Sequence, residues 1–106
     1  MAKYLVQVNY TLQGLQAVTA KGGTAREKAA REAAESLGGS LDAFYFAFGD
    51  SDVVVIADFP DNVSAAALAL AVGSGGGASV RTTVLMSPKD IDKAAKKQVT
   101  YRPPGG

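Results

Sequence analysis

At 106 residues, with 47% hydrophobic and 20% charged residues, the chain has the size and composition of one globular domain with a modest core. The net charge is +1 and acidic and basic residues are interspersed, so there is no concentrated basic face of the kind nucleic acid or an anionic membrane requires. Cysteine and histidine are both missing, which excludes disulfides, thiolate catalysis, cysteine-bound metals and imidazole acid/base chemistry.

Residues 3–11 open the chain with a strand period: Tyr4, Val6, Val8 and Tyr10 alternate with Leu5, Gln7 and Asn9, giving one apolar and one mixed face. Leu12, Leu15 and Val18 recur every third residue and predict a short helical piece over 12–20, broken by Lys21-Gly22-Gly23. In the helix that follows, Thr24 and Glu27 have capping-box spacing, and Ala30, Ala33, Ala34 and Leu37 form the buried stripe. Glu27 and Arg31 make an i,i+4 pair in the favourable order. Gly38-Gly39 ends this helix, glycine being the residue that tolerates a left-handed cap.

A second strand is expected over 41–48, with Phe44, Phe46 and Phe48 on one face and Leu41, Ala43, Tyr45 and Ala47 on the other. Gly49-Asp50-Ser51-Asp52 is a turn, and residues 53–59 return as the third strand of a hairpin. Pro60-Asp61-Asn62 stops that strand and caps a helix over 63–72. The run Gly73–Gly77 is a flexible link; it lacks the Gly-Lys-Ser/Thr ending of a phosphate loop and leads into a strand, not a helix. The fourth strand covers 78–86. Ser87 and Pro88 open a last helix as cap and first helical residue, and the tail from Gln98 to Gly106 is extended.

This order is the βαββαβ pattern of a ferredoxin-like α+β fold with a four-stranded antiparallel sheet, in a single domain over 1–106. Two helices cover one face of such a sheet, and a solvated second face should alternate with polar residues. Val53-Val54-Val55-Ile56 is apolar on both faces, and so is the Phe44–Phe48 stretch. The helix over 63–72 carries no charge at all, and an ordinary surface helix has a charged face. Sheet and helix together predict a homo-oligomer, a dimer or higher. No apolar run approaches the roughly 20 residues of a membrane span, and Met1-Ala2-Lys3 enters the first strand without signal-peptide form, so the expected compartment is the cytoplasm.

Three further stretches carry a family resemblance: Tyr4–Thr11 followed by Gly14, Leu37-Gly38-Gly39, and Gly49-Asp50-Ser51-Asp52 running into Val53–Ile56. The Ala/Leu helix after Pro60-Asp61 and the strand Val80-Arg81-Thr82-Thr83 extend it. From Tyr4 to about Met86 the sequence resembles the GYD-domain family, small bacterial proteins of ferredoxin-like fold related to dimeric α/β barrels. The family motif has Tyr-Asp one residue after a glycine. Gly49 and Asp52 match it, and Ser51 stands in the tyrosine position. The resemblance implies the fold and the dimer, and it implies no activity, metal or cofactor.

Candidate chemistry is sparse. Asp50 and Asp52 beside Gly49 concentrate two carboxylates, which could act as acid and base or hold a cation; Asp and Ser are equally ordinary turn formers. Gln7 and Asn9 share a face of the first strand, as Arg81 and Thr83 do on the fourth. Those strands are antiparallel neighbours, so the four side chains should converge on the open sheet face, with Tyr45 near and Tyr10 able to join. The expected function is binding of a small apolar or aromatic molecule there; the same polar groups could instead bond across a subunit interface. Two further readings are a cofactor-independent oxygenase or isomerase, which without histidine would need a carboxylate or tyrosine base, and a structural self-assembly module.

Overall fold

The alternation of the first strand sets the sheet. In the computed structural model, which describes residues 1–105, β1 (Ala2–Tyr10) runs antiparallel to both β3 (Val53–Phe59) and β4 (Ala78–Leu85). Gly106, the end of the expected tail, lies outside the described residues. β2 (Ser40–Phe46) pairs with β3, so the strand order is β2-β3-β1-β4. α1 (Leu12–Lys21) and α2 (Gly23–Ser36) join β1 to β2, α3 (Asn62–Ser74) joins β3 to β4, and α4 (Pro88–Ala95) follows β4. This is the predicted ferredoxin-like α+β arrangement, with its first crossover divided between two helices.

Tyr4, Val6, Val53, Val55, Ala57 and Phe59 form the core with Ala34 of α2 and Ala65 of α3. The Tyr4 ring meets Phe59 edge-on at 5.7 Å, and its hydroxyl donates to Asn62 Oδ1 at 2.6 Å. A buried phenol needs such a partner, and this one fastens the start of α3 to β1.

Short side chains mark most helix ends. Thr11 caps α1 by accepting from the Gly14 N–H at 3.3 Å. Asp61 caps α3 by accepting from the Ser64 N–H at 2.8 Å. Ser87 and Asp90 form a reciprocal capping box on α4. At the end of α2, the Gly38 N–H donates to Glu35 O at 3.0 Å and the Gly39 N–H to Ala34 O at 2.9 Å, the paired bonds of a Schellman turn, with Gly38 at φ 77°.

Three local expectations are corrected. Thr24 does not cap α2, because Gly22, at φ 87°, turns the chain so sharply that the helix begins at Gly23 and Thr24 is already inside its first turn. β2 ends at Phe46, leaving Phe48 fully exposed in the turn. A bulge between Leu41 and Ala43 inserts Asp42 and moves Leu41 to the helix-covered side with Phe44 and Phe46, since one extra residue reverses a strand's alternation. In the single chain α3 packs Ala65 into the core, while Val63 and Leu70 are exposed.

α4 stands apart from the rest. Every residue from Met86 to Gly105 is exposed. The radius of gyration is 17.0 Å, against roughly 13 Å for a compact chain of about this length.

Candidate functional site

The open face of the sheet is ordered by register into rows that cross the strands. Leu85, Lys3, Asp58 and Ser40 form a charged row at one end. Thr83, Leu5, Ile56 and Ala43 form an apolar row, and Arg81, Gln7, Val54 and Tyr45 the row beyond it. In the charged row Lys3 Nζ bonds Asp42 and, at 2.9 Å, Asp58. These bonds raise the Lys3 pKa, and the bond from Lys3 holds the Asp42 carboxyl below the usual carboxylate range. Both groups are open to solvent, so the pairing organises this end more than it stabilises it.

At the opposite end the turn after β2 folds back over the sheet. The Asp52 N–H donates to Val8 O at 2.8 Å, and the Asp52 carboxylate accepts from the Tyr10 N–H at 2.8 Å. That fold-back brings Ser51, only 4% exposed, against the polar strand residues. Its hydroxyl accepts from an Arg81 guanidinium N–H at 2.9 Å and from Gln7 Nε2 at 3.4 Å, and Asn9 Nδ2 donates to the Asp50 carbonyl at 2.9 Å. Gln7, Asn9 and Arg81 are thus together, held to the turn by their own bonds. Thr83 stands one row away beside Leu5, and Tyr45 lies at the far side of the Arg81 row, two strands from Gln7. Tyr10 faces the other way, toward the helices, because it alternates in phase with Tyr4, Val6 and Val8. Asp50 acts through its backbone carbonyl and Asp52 through its carboxylate, which accepts from the Tyr10 backbone N–H, and Gly49 has open space around it.

An apolar cavity of about 140 Å³ lies on that opposite side, between the sheet and helices α2 and α3. Ala29, Ala30 and Ala33 of α2 form one wall, Val6, Val8, Val53, Val55 and Val80 the floor, and Leu68 and Val72 of α3 the other wall. Its origin is in the sequence: three alanines occupy positions where leucines would close a helix–sheet layer. A wider cleft of about 280 Å³, lined by Gln13, Gly14, Ala71 and Gly77, adjoins it and shares Tyr10, Arg26, Val72 and Ala78. Gly14 is required there, since a Cβ on it would lie 2.0 Å from the Gly77 carbonyl oxygen.

The model of the GYD domain matches residues 4–95. The chain belongs to the GYD domain family. No curated protein and no solved structure gives a match. Within this GYD domain, Ser51 is the acceptor that ties β1 and β4 to the turn. Sequence reasoning separated Ser51 from Gln7 and Arg81 because the fold-back that joins them is a tertiary event. It also missed Arg26 and the alanine wall, whose only signal was the small size of three residues on one helix stripe.

Proposed function

We propose that this GYD domain is a binding module for a small apolar or aromatic molecule, and that it assembles with copies of itself through the open sheet face. The observation that carries the first part is the cavity between the sheet and the helices α2 and α3. It is apolar and has few polar groups at one end, the general form of a small-molecule site. Its walls carry one phenol and one guanidinium and no carboxylate. The polar cluster on the open face is less suited to a ligand, since Gln7, Asn9 and Arg81 are already bonded to the turn.

Self-association is supported by the apolar row Leu5, Ile56 and Ala43 with Val54 and Tyr45 beside it, over which no helix lies among the described residues. A sheet of this size, about seven residues by four strands, has a flat outline of roughly 450 Å². That is short of the ~800 Å² per partner of a standard interface. The exposed α4 and tail, with Ile91, Val99 and Tyr101, can supply the remainder by lying across a second copy.

Two experiments test this. In a thermal-shift screen of small aromatic and aliphatic molecules, stabilisation by members with one ring or a short chain is expected, and a panel without effect would overturn the binding reading. Sedimentation of the full chain should give a dimer or larger species that Ile56→Asp dissociates; a wild-type monomer at high micromolar concentration would overturn the assembly.

A further inference from the structure

Arg26 is the one charged residue on the walls of both the cavity beneath α2 and α3 and the cleft beside it, among the described residues. It stands with Tyr10, Val72 and Ala78 where the two spaces meet. The residue is half-buried, yet its guanidinium has no hydrogen bond or ion pair with any described residue. Arg31 of the same helix is held by Glu27 and by the Leu41 carbonyl, and Arg81 by Ser51. A guanidinium presents a planar fork of N–H donors that fits a carboxylate through two bonds. None of its nitrogens is buried without a partner, so the guanidinium stays open to an anion arriving from solvent.

The cavity sets the size of what could bring that charge. At about 140 Å³ it is close to the roughly 150 Å³ apolar cavity that accepts benzene. We propose that the site takes a small monocarboxylate, with a body of one aromatic ring or a chain of about six carbons. The body lies against Ala30, Val55 and Leu68, and the carboxylate is paired with Arg26. Tyr10, whose hydroxyl bonds no described residue, lines both spaces and serves as a second donor. This ligand class rests on the cavity being a binding site, and it is the charge at one end that goes beyond that reading.

The test compares isosteric pairs on the full chain by calorimetric titration: phenylacetate against 2-phenylethanol, and hexanoate against 1-hexanol. Each acid should bind at least about ten-fold more tightly than its alcohol, the lower end for a hydrogen bond to a charged group. Arg26→Gln should abolish that preference, and Arg26→Lys should retain part of it. Equal affinity for acid and alcohol in the wild type, or a preference that survives Arg26→Gln, would overturn the carboxylate assignment and leave the binding site standing. Binding of neither member of either pair would overturn the binding site itself.

Discussion

Arg81 donates to the buried Ser51 hydroxyl at 2.9 Å, joining the edge strand β4 to the turn that follows β2 across the end of β1. Gln7, opposite Arg81 in register, reaches the same oxygen. One hydroxyl therefore holds three separate segments of the chain at one corner of the sheet.

Removing that hydroxyl should loosen the corner. Ser51→Ala is expected to cost about 1 kcal/mol, a fall in melting temperature of roughly 4–8 °C for a chain of this size. In an Arg81→Met background the same change should cost clearly less, because its main donor is already gone. Additive losses in the double mutant, measured by urea denaturation, would show that the bond contributes nothing.

Two glycines of the family resemblance should respond in opposite ways. A Cβ at Gly14 would meet the Gly77 oxygen at 2.0 Å and the Tyr10 ring at 3.0 Å, so Gly14→Ala must push α1 off the start of β4. A loss of several kcal/mol is expected, of the order of about 3. Gly49 has nothing within 4 Å of the same position and no positive φ. Gly49→Ala should change stability by less than about 0.5 kcal/mol, as read by thermal unfolding of the two variants.

The cap of α3 should give a pH signature. The Ser64 backbone N–H, and after it the Ser64 side chain, hold the Asp61 carboxyl below its ordinary pKa. A carboxyl with a depressed folded pKa stabilises the fold above its unfolded value, near pH 4, and that contribution is lost as pH falls through the lower folded value. Asp61→Asn keeps a capping oxygen without the charge. The urea midpoint of the wild type should exceed that of Asp61→Asn at pH 6, and the gap should narrow below about pH 4. A gap that stays constant with pH would contradict this.

Filling the cavity should separate stability from binding. Ala30 lies on the α2 wall, and Ala30→Leu should raise stability by about 0.5–2 kcal/mol, as cavity-filling changes commonly do. The same variant should lose affinity for small aromatic molecules. Destabilisation together with retained binding would mean that the space is not where the ligand sits.

The fold was largely legible because its signals are local. Alternation in β1, the Gly38-Gly39 stop, Pro60-Asp61 before α3 and Ser87-Pro88-Lys89-Asp90 before α4 each act within a few residues and need no distant partner. The bulge at Asp42 was not legible, since an inserted residue leaves the composition of a strand unchanged while reversing one part of it. Gln7, Asn9 and Arg81 were legible as a group because antiparallel register follows from topology. Their common partner Ser51 was not, since a turn folding over a sheet leaves no periodic trace. The cavity was the least legible feature: Ala30 and Ala33 have the pattern of close packing, and the space they fail to fill exists only once Val6, Val55 and Leu68 are placed opposite them.

The two sheet faces make opposite claims on a ligand, and residue-resolved NMR separates them. With methyl-labelled protein titrated with 2-phenylethanol, a neutral probe independent of Arg26, the methyl signals of Ala30, Val55, Leu68 and Val80 should shift. Those of Leu5, Val54 and Ile56 on the open face should stay in place. Shifts confined to Leu5, Val54 and Ile56, or no shift at saturating probe, would contradict a binding site between the sheet and α2 and α3.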